Sequence, residues 1–427
     1  MRHLLPAAVA LSALVSCAAH AKDDLLEALA QKGVISLEEY ERLKAQRKSD
    51  LVASTDDGFR LSTADGTASM QLGTLQQLDV ASYQSDQTDL ADGSELRRSR
   101  LSLSGTFLKD WQYRFEHEFS GTTGVTDAYL AYAALKPFTI TVGQFKQPFG
   151  MEALAADKNI PFMERSLPFA FVTTRAPGLM LGSSGPNWSA NGGVFGEPVG
   201  NAQAGDEGYG LVARASYAPL LSGGRLIHLG FAGVLRYPTA ESSSNTAGAR
   251  SSTVRFRSKP ESNVLAQRLV DTGEIRGVDS LRIEGIELAV QQGALSLQAE
   301  GHFVQVQRET GSTLNFNGWC AQIAFTLTGE ARPYKVDKGV FDGIRPAHNF
   351  GRDGWGAFDL AARMSAIDLS SDAVNGGLER NASIALNWTL NPQLRISANV
   401  VRVLRVEGGA SHADEPTIYQ VRMQLAL

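Results

Sequence analysis

From Ser69 to the end of the chain, apolar and polar residues alternate in short runs. The last run, Tyr419–Leu427, shows the pattern: Tyr419, Val421, Met423, Leu425 and Leu427 are apolar, while Gln420, Arg422 and Gln424 between them are polar. A period of two belongs to a β-strand, whose successive side chains point to opposite faces. About sixteen such runs can be placed, near 68–80, 96–105, 111–119, 126–134, 138–145, 177–183, 187–195, 208–218, 225–237, 281–291, 294–306, 317–328, 356–367, 380–390, 393–404 and 417–427. In a soluble sandwich the apolar faces would meet a second sheet. In an outer-membrane barrel they would meet lipid, and the polar faces would meet water inside.

Number, length and spacing favour the barrel. Sixteen is even, as a closed antiparallel barrel of this kind requires, and runs of about 9 to 11 residues suffice for a tilted strand to cross the hydrocarbon. Joins after even-numbered runs are mostly short: 106–110, 135–137, the turn around Gly185, and 390–393. Joins after odd-numbered runs are mostly long: 81–95, 146–176, 196–207, 238–280, 368–379 and 405–416. Short periplasmic turns alternating with long external loops is barrel layout, and a sandwich has no cause for such parity. Two joins break the rule: 120–125 is short, and 328–355 is long where a tight turn is expected.

The faces are consistent with this. In the third run Trp111, Tyr113, Phe115 and Phe119 lie with His117 on one side, opposite Gln112, Arg114, Glu116 and Glu118. Trp111, Trp188, Trp388, Tyr129, Tyr217 and Tyr237 fall near run ends, where aromatic girdles meet headgroups. A charge on the lipid face would cost about 2–4 kcal/mol at midplane. Nearly all charges within the runs occupy the other face, including Arg98, Arg100, Arg114, Arg214, Arg236, Arg363, Arg395 and Arg422. The expected fold is therefore all-β, a sixteen-stranded antiparallel transmembrane barrel over residues 58–427, preceded by a short helical segment.

The N-terminal part reads differently. Leu4–Val15 is an apolar run after Met1-Arg2-His3, reaching small residues at Ala19-His20-Ala21, which is the layout of a signal peptide over residues 1–21. Leu14-Val15-Ser16-Cys17 also has the form of a lipoprotein cleavage box, so cleavage after Ala21 and acylation of Cys17 are the two alternatives. Residues 22–57 are expected to be a periplasmic helical segment and linker. Gly33 breaks a first helical run, and Ser36 with Glu39 reads as a capping box opening a second.

Composition narrows the field further. A mean hydropathy of −0.14 with 20% charged residues excludes both disorder and a helical membrane protein. The net charge of −5 gives no global basic footprint, and nucleic acid is not an expected partner. Cys17 and Cys320 are the two cysteines, so a chain cleaved after Ala21 cannot form an intrachain disulfide. The seven histidines show no pair at metal-ligand spacing on one face, no cofactor is expected, and no nucleophile–base motif suggests an enzyme.

Several stretches carry a resemblance: Glu95–Ser120, "ELRRSRLSLSGTFLKDWQYRFEHEFS"; Gly124–Tyr132, "GVTDAYLAY"; Val142–Glu152, "VGQFKQPFGME"; Leu327–Tyr334, "LTGEARPY"; and Gly354–Ser365, "GWGAFDLAARMS". From about Leu61 to Leu427 the chain resembles the phosphate- and polyphosphate-selective outer-membrane porins O and P. The resemblance implies a trimer of sixteen-stranded barrels in outer-membrane lipid, with a third external loop folded inward to narrow an anion pore. It also implies that Arg97 and Arg98 match paired arginines near the eyelet. The 146–176 segment is then the constriction loop, carrying Lys146, Lys158, Arg165 and Arg175 against Glu152, Asp157 and Glu164. The expected anion-binding, pore-lining set is Arg97, Arg98, Arg100, Arg114, Lys146, Lys158 and Arg165, with small inorganic anions such as phosphate as the solute. Arg offers anions a planar fork and Lys a point charge. The phosphate-selective pattern places a lysine and serines just after the Phe-Gly stretch. Ala153, Ala156 and Asp157 stand there in this chain, which weakens the expectation for phosphate and leaves general small solutes or organic anions as the alternative.

Overall fold

The computed structural model describes residues 29–30, 32–36, 38–42, 51–55, 58–121, 124–197, 208–238 and 252–427. The expected signal peptide and Cys17 lie outside these residues. In the segment before the barrel, Gly33 takes a left-handed φ of 66° after a helical turn, and the Glu39 amide donates to Ser36 Oγ at 3.0 Å, opening a helix over 38–42.

Among the described residues sixteen long strands form one closed antiparallel barrel. They are β1 (Ser69–Gln84), β2 (Gly93–Phe107), β3 (Trp111–Glu118), β4 (Gly124–Tyr132), β5 (Phe138–Lys146), β6 (Arg175–Ser184), β7 (Trp188–Phe195) and β8 (Tyr209–Ser222). They continue as β9 (Arg225–Tyr237), β10 (Val278–Gln292), β11 (Leu295–Arg308), β12 (Leu314–Thr326), β13 (Ala357–Ser371), β14 (Val374–Thr389), β15 (Leu394–Glu407) and β16 (Thr417–Ala426). Each pairs with its neighbours in sequence, and β16 closes on β1 from Thr417↔Gln84 to Ala426↔Leu75. Leu427 exchanges both backbone hydrogen bonds with Thr74, at 2.9 and 3.2 Å. Just beyond it, the short strand Phe59–Thr63 occupies the same edge of β1, so the seam carries no free edge there.

All sixteen alternating runs correspond to strands, and the apolar face points outward. Leu78, Val80, Phe115, Val142, Ile384 and Leu386 are all exposed on the barrel exterior, each beside a buried polar or small neighbour. That arrangement suits lipid and would be unstable in water. Tyr129 departs from the expected girdle. A register shift between Glu116 and His117 accommodates an extra β4 residue at Thr126, and Tyr129 faces the lumen against Phe145.

Two joins also differ from expectation. The 368–379 loop does not exist: β13 and β14 run on to a tight turn at Ser371↔Val374, with Asp372 at a φ of 50°. Strands that rise past the hydrocarbon no longer need an apolar face, so their alternation fades before they end. The long 328–355 join contains a small hairpin, Tyr334–Lys335 paired with Val340–Phe341, that folds back into the barrel from the end carrying the short turns. Arg214 on β8 holds its turn by donating to the carbonyls of Lys338 and Gly339, each at 2.8 Å.

Candidate functional site

Three segments fill much of the lumen. The first is 147–174, which carries a single helical turn α1 (Met151–Leu154) and a 3₁₀ turn at Leu167–Phe171. The Gly-Gln-Phe-Lys-Gln-Pro-Phe-Gly stretch delivers it: Gly143 sits at a φ of 127° in β5, and Gly150 turns the chain inward at 76°. Phe149, Phe162 and Phe171 are fully buried against the opposite wall. Phe149 meets His302 on β11, Phe162 lies 4.1 Å beneath the Arg363 guanidinium, and Phe171 packs on Phe256. Polar anchors complete the crossing. Glu300 accepts from the Glu152 amide at 2.7 Å, Asn387 donates to the Pro161 carbonyl at 2.8 Å, and Arg422 donates to that of Met163 at 2.5 Å.

The second segment is the external stretch 252–277, whose Glu261 is buried. Its carboxylate accepts from Arg363, Ser365 and Ser383, at 2.6, 2.5 and 2.6 Å. The third is the 334–341 hairpin, beside which Asn159 of the first segment donates to Asp342 at 2.5 Å. Anchored to the wall from β8 round to β16, these segments leave two cavities bordered on the wall side by β1 to β7.

Both cavities follow that wall. The outer one, about 350 Å³, is lined by eight basic side chains against three acidic ones: Arg97, Arg98, Arg100, Lys146, Arg165, Arg175, Arg257 and Lys259 face Asp157, Glu164 and Glu261. The inner one, about 660 Å³, has Arg100, Arg114, Lys146, Lys158, Arg175 and Lys338 with Glu116, Asp127, Asp157 and Asp337. Arg100, Lys146, Asp157 and Arg175 line both, so these four side chains stand between the two cavities.

The seven expected residues all line one or both of these cavities. Arg97, Arg98 and Arg165 lie on the outer side, Arg114 and Lys158 on the inner side, and Arg100 and Lys146 between the two. Arg97 would point to lipid in an unbroken strand. The register between β1 and β2 jumps from Gln77↔Arg98 to Leu78↔Leu96, so Arg97 is a bulge residue and turns inward beside Arg98. It binds Glu164 through two hydrogen bonds, at 2.7 and 2.9 Å. Arg98 donates to Gln77 at 2.7 Å, Arg100 to Glu118 at 2.7 Å, and Arg114 to Glu116 at 2.5 Å. Lys146 reaches the carbonyls of Ala153 and Ala155, at 2.7 and 3.1 Å. Burial opposes the charge on Asp157 and Glu164. Even so, Arg98 and Arg165 hold the first carboxyl well below the usual range, and Arg97 does the same for the second. Sequence reading left Arg175, Arg257, Lys259 and Lys338 out of the set. Arg175 opens β6 ahead of its alternating run, and the other three sit on inward-folded segments whose period carries no information about facing.

No chemical step is suggested by these groups, and among the described residues no cluster could hold a metal ion. What they form is two cavities in the lumen, each lined by more basic than acidic side chains. Solved structures with the same barrel include OmpT of Vibrio cholerae (9% identical, TM-score 0.55, covering 84% of this chain and 98% of that one). An anion-selective porin from Comamonas acidovorans is similar too (12% identical, TM-score 0.51, 84% and 100% covered). By sequence the chain is 26% identical over 398 residues to Porin O of Pseudomonas aeruginosa, covering 83% of this chain and 87% of that protein. The pattern that defines phosphate-selective porins O and P matches residues 70–427, and the chain belongs to that family of outer-membrane channels rather than enzymes.

Proposed function

We propose that the protein is an anion-preferring diffusion channel, with the inward-folded 147–174 segment as its constriction. The observation that carries this reading is the excess of guanidinium and ammonium groups over carboxylates around the two cavities, where Arg97, Arg98, Arg100, Arg114, Lys146, Arg175 and Arg257 gather. Fixed cations of this kind replace part of an anion's hydration while repelling cations. Small inorganic anions of the phosphate class suit the forked donors. The carboxylates interleaved with them, and Ala153 and Ala156 in place of hydrogen-bond donors, favour the second reading of small solutes and organic anions without phosphate specificity.

A homotrimer is part of the same proposal. Gln76 and Ser99 are cross-strand partners on the outward face of β1 and β2, and His117 pairs with outward Leu101. The Nδ1 atom of His117 is buried without a hydrogen-bond partner. Such a polar stripe is disfavoured against hydrocarbon but suits a neighbouring subunit. The chain is proposed to reach the outer membrane through the signal peptide at 1–21, with 22–57 as its periplasmic segment.

Planar-bilayer reversal potentials in a potassium chloride gradient test the channel reading. The expected sign is that of chloride preference, and replacing Arg97 and Arg98 together by Ala should move it toward zero selectivity. A cation-selective parent channel, or an unmoved potential in the double variant, would refute it.

A further inference from the structure

The basic cluster that borders both cavities already holds an anion of its own. Asp157, from the 147–174 segment, places its carboxylate between the two cavities and lines both. Arg100 Nη1 donates to one oxygen at 2.6 Å, and Arg165 Nη1 to the other at 2.5 Å. Arg98 Nε stands 3.3 Å away, and it is buried with no hydrogen-bond partner of its own. Three arginines from two separate elements converge on one carboxylate, which is itself buried. A carboxylate has two oxygens and serves two of these forks well; it leaves the third unmet. A tetrahedral oxyanion, with four oxygens, would have an acceptor for each.

We propose that Asp157 is a specificity-determining residue whose carboxylate acts as a tethered occupant of an oxyanion seat formed by Arg98, Arg100 and Arg165. This rests on the channel reading above and says which anions the neck passes and which it retains. A group attached to the chain competes at a high effective concentration, on the order of millimolar or more. Free phosphate therefore meets a filled seat, exchanges with the carboxylate only briefly, and is not held. Because the forks stay charged, monovalent anions still pass along the wall. The neck is selective by sign while being indifferent to phosphate.

Removing the carboxylate charge should uncover the seat. Asp157→Asn keeps the shape and one acceptor oxygen, and Asp157→Ala removes the group. In planar bilayers, inorganic phosphate should half-block chloride current through both variants at a concentration at least about tenfold lower than for the parent. That factor corresponds to about 1.4 kcal/mol in favour of phosphate. Calorimetric titration of phosphate into the detergent-solubilised trimer or monomer is scored independently of conductance, with heat-modifiable gel migration confirming a closed barrel. Tighter phosphate binding by a closed-barrel variant than by the parent supports the seat even if the parent proves non-conducting, an outcome that would sink only the channel reading. Equal binding and equal block in the parent and Asp157→Asn overturn the proposal, as does a parent that already binds phosphate as tightly as the variant.

Discussion

Arg97 and Arg98 are adjacent in sequence, and in a regular strand one of them would lie in lipid at a cost of about 2–4 kcal/mol. A single inserted residue in β2 removes that conflict and aims both guanidiniums at the lumen. Gly143 is a second position where one residue decides the local geometry. A methyl group there would stand 2.2 Å from the Ala128 carbonyl oxygen and 2.7 Å from Tyr129 Cα, both backbone atoms that cannot swing aside. Its φ of 127° is also one that other residues rarely adopt. Gly143→Ala is expected to destabilise the barrel by at least about 1–3 kcal/mol, the usual range for overpacking. Urea titration of the closed, heat-modifiable form in vesicles checks this, and an unchanged midpoint would contradict it.

At the scale of elements, the strands and the loops obey different rules. Each strand has one face for lipid and one for the lumen, so a charge on the wrong face is expensive. Ile384, exposed on the outward face of β14 midway between Arg380 and Trp388, is a test position. Ile384→Lys should lower folding stability in lipid vesicles by about 2–4 kcal/mol. A loss under 1 kcal/mol would argue that this stretch of β14 faces something other than hydrocarbon. The segments inside the lumen carry mixed patterns because their surroundings are mixed. Phe149, Met151, Phe162 and Leu167 are fully buried, while Glu152, Asp157 and Glu164 between them are bound by arginines and backbone donors. Such a segment has no single period to read.

For the whole molecule, the ion pairs between the 147–174 segment and the wall set a pH response. The Asp157 and Glu164 carboxyls are held below their unfolded value of about 4. A depressed carboxyl contributes stability that is present above the unfolded pKa and is lost as pH falls through the folded one. The ion pairs of Asp157 and Glu164 should therefore persist from pH 8 to pH 5 and be lost only under strongly acid conditions, while burial pushes the Glu152 carboxyl of the same segment up. Single-channel conductance and reversal potential are expected to be constant across that interval. A transition between pH 8 and pH 5 would show that some other group controls the neck.

Alternation along the chain determined the strand number, the lipid-facing side and the parity of most loops, because one face of every strand must satisfy hydrocarbon along its whole length. It also marked Arg98, Arg100 and Arg114 as inward, while resemblance supplied Arg97 and the role of the 147–174 segment. Tertiary structure decided what no local pattern encodes. It turned Arg97 inward through a bulge, moved Tyr129 off the girdle and replaced a loop at 368–379 by a tight turn. It also brought Arg257, Lys259 and the 334–341 hairpin into the lumen. These placements depend on contacts between residues far apart in the chain, such as Asn159 with Asp342 and Arg363 with Glu261. The period of a single segment carries no record of its distant partner.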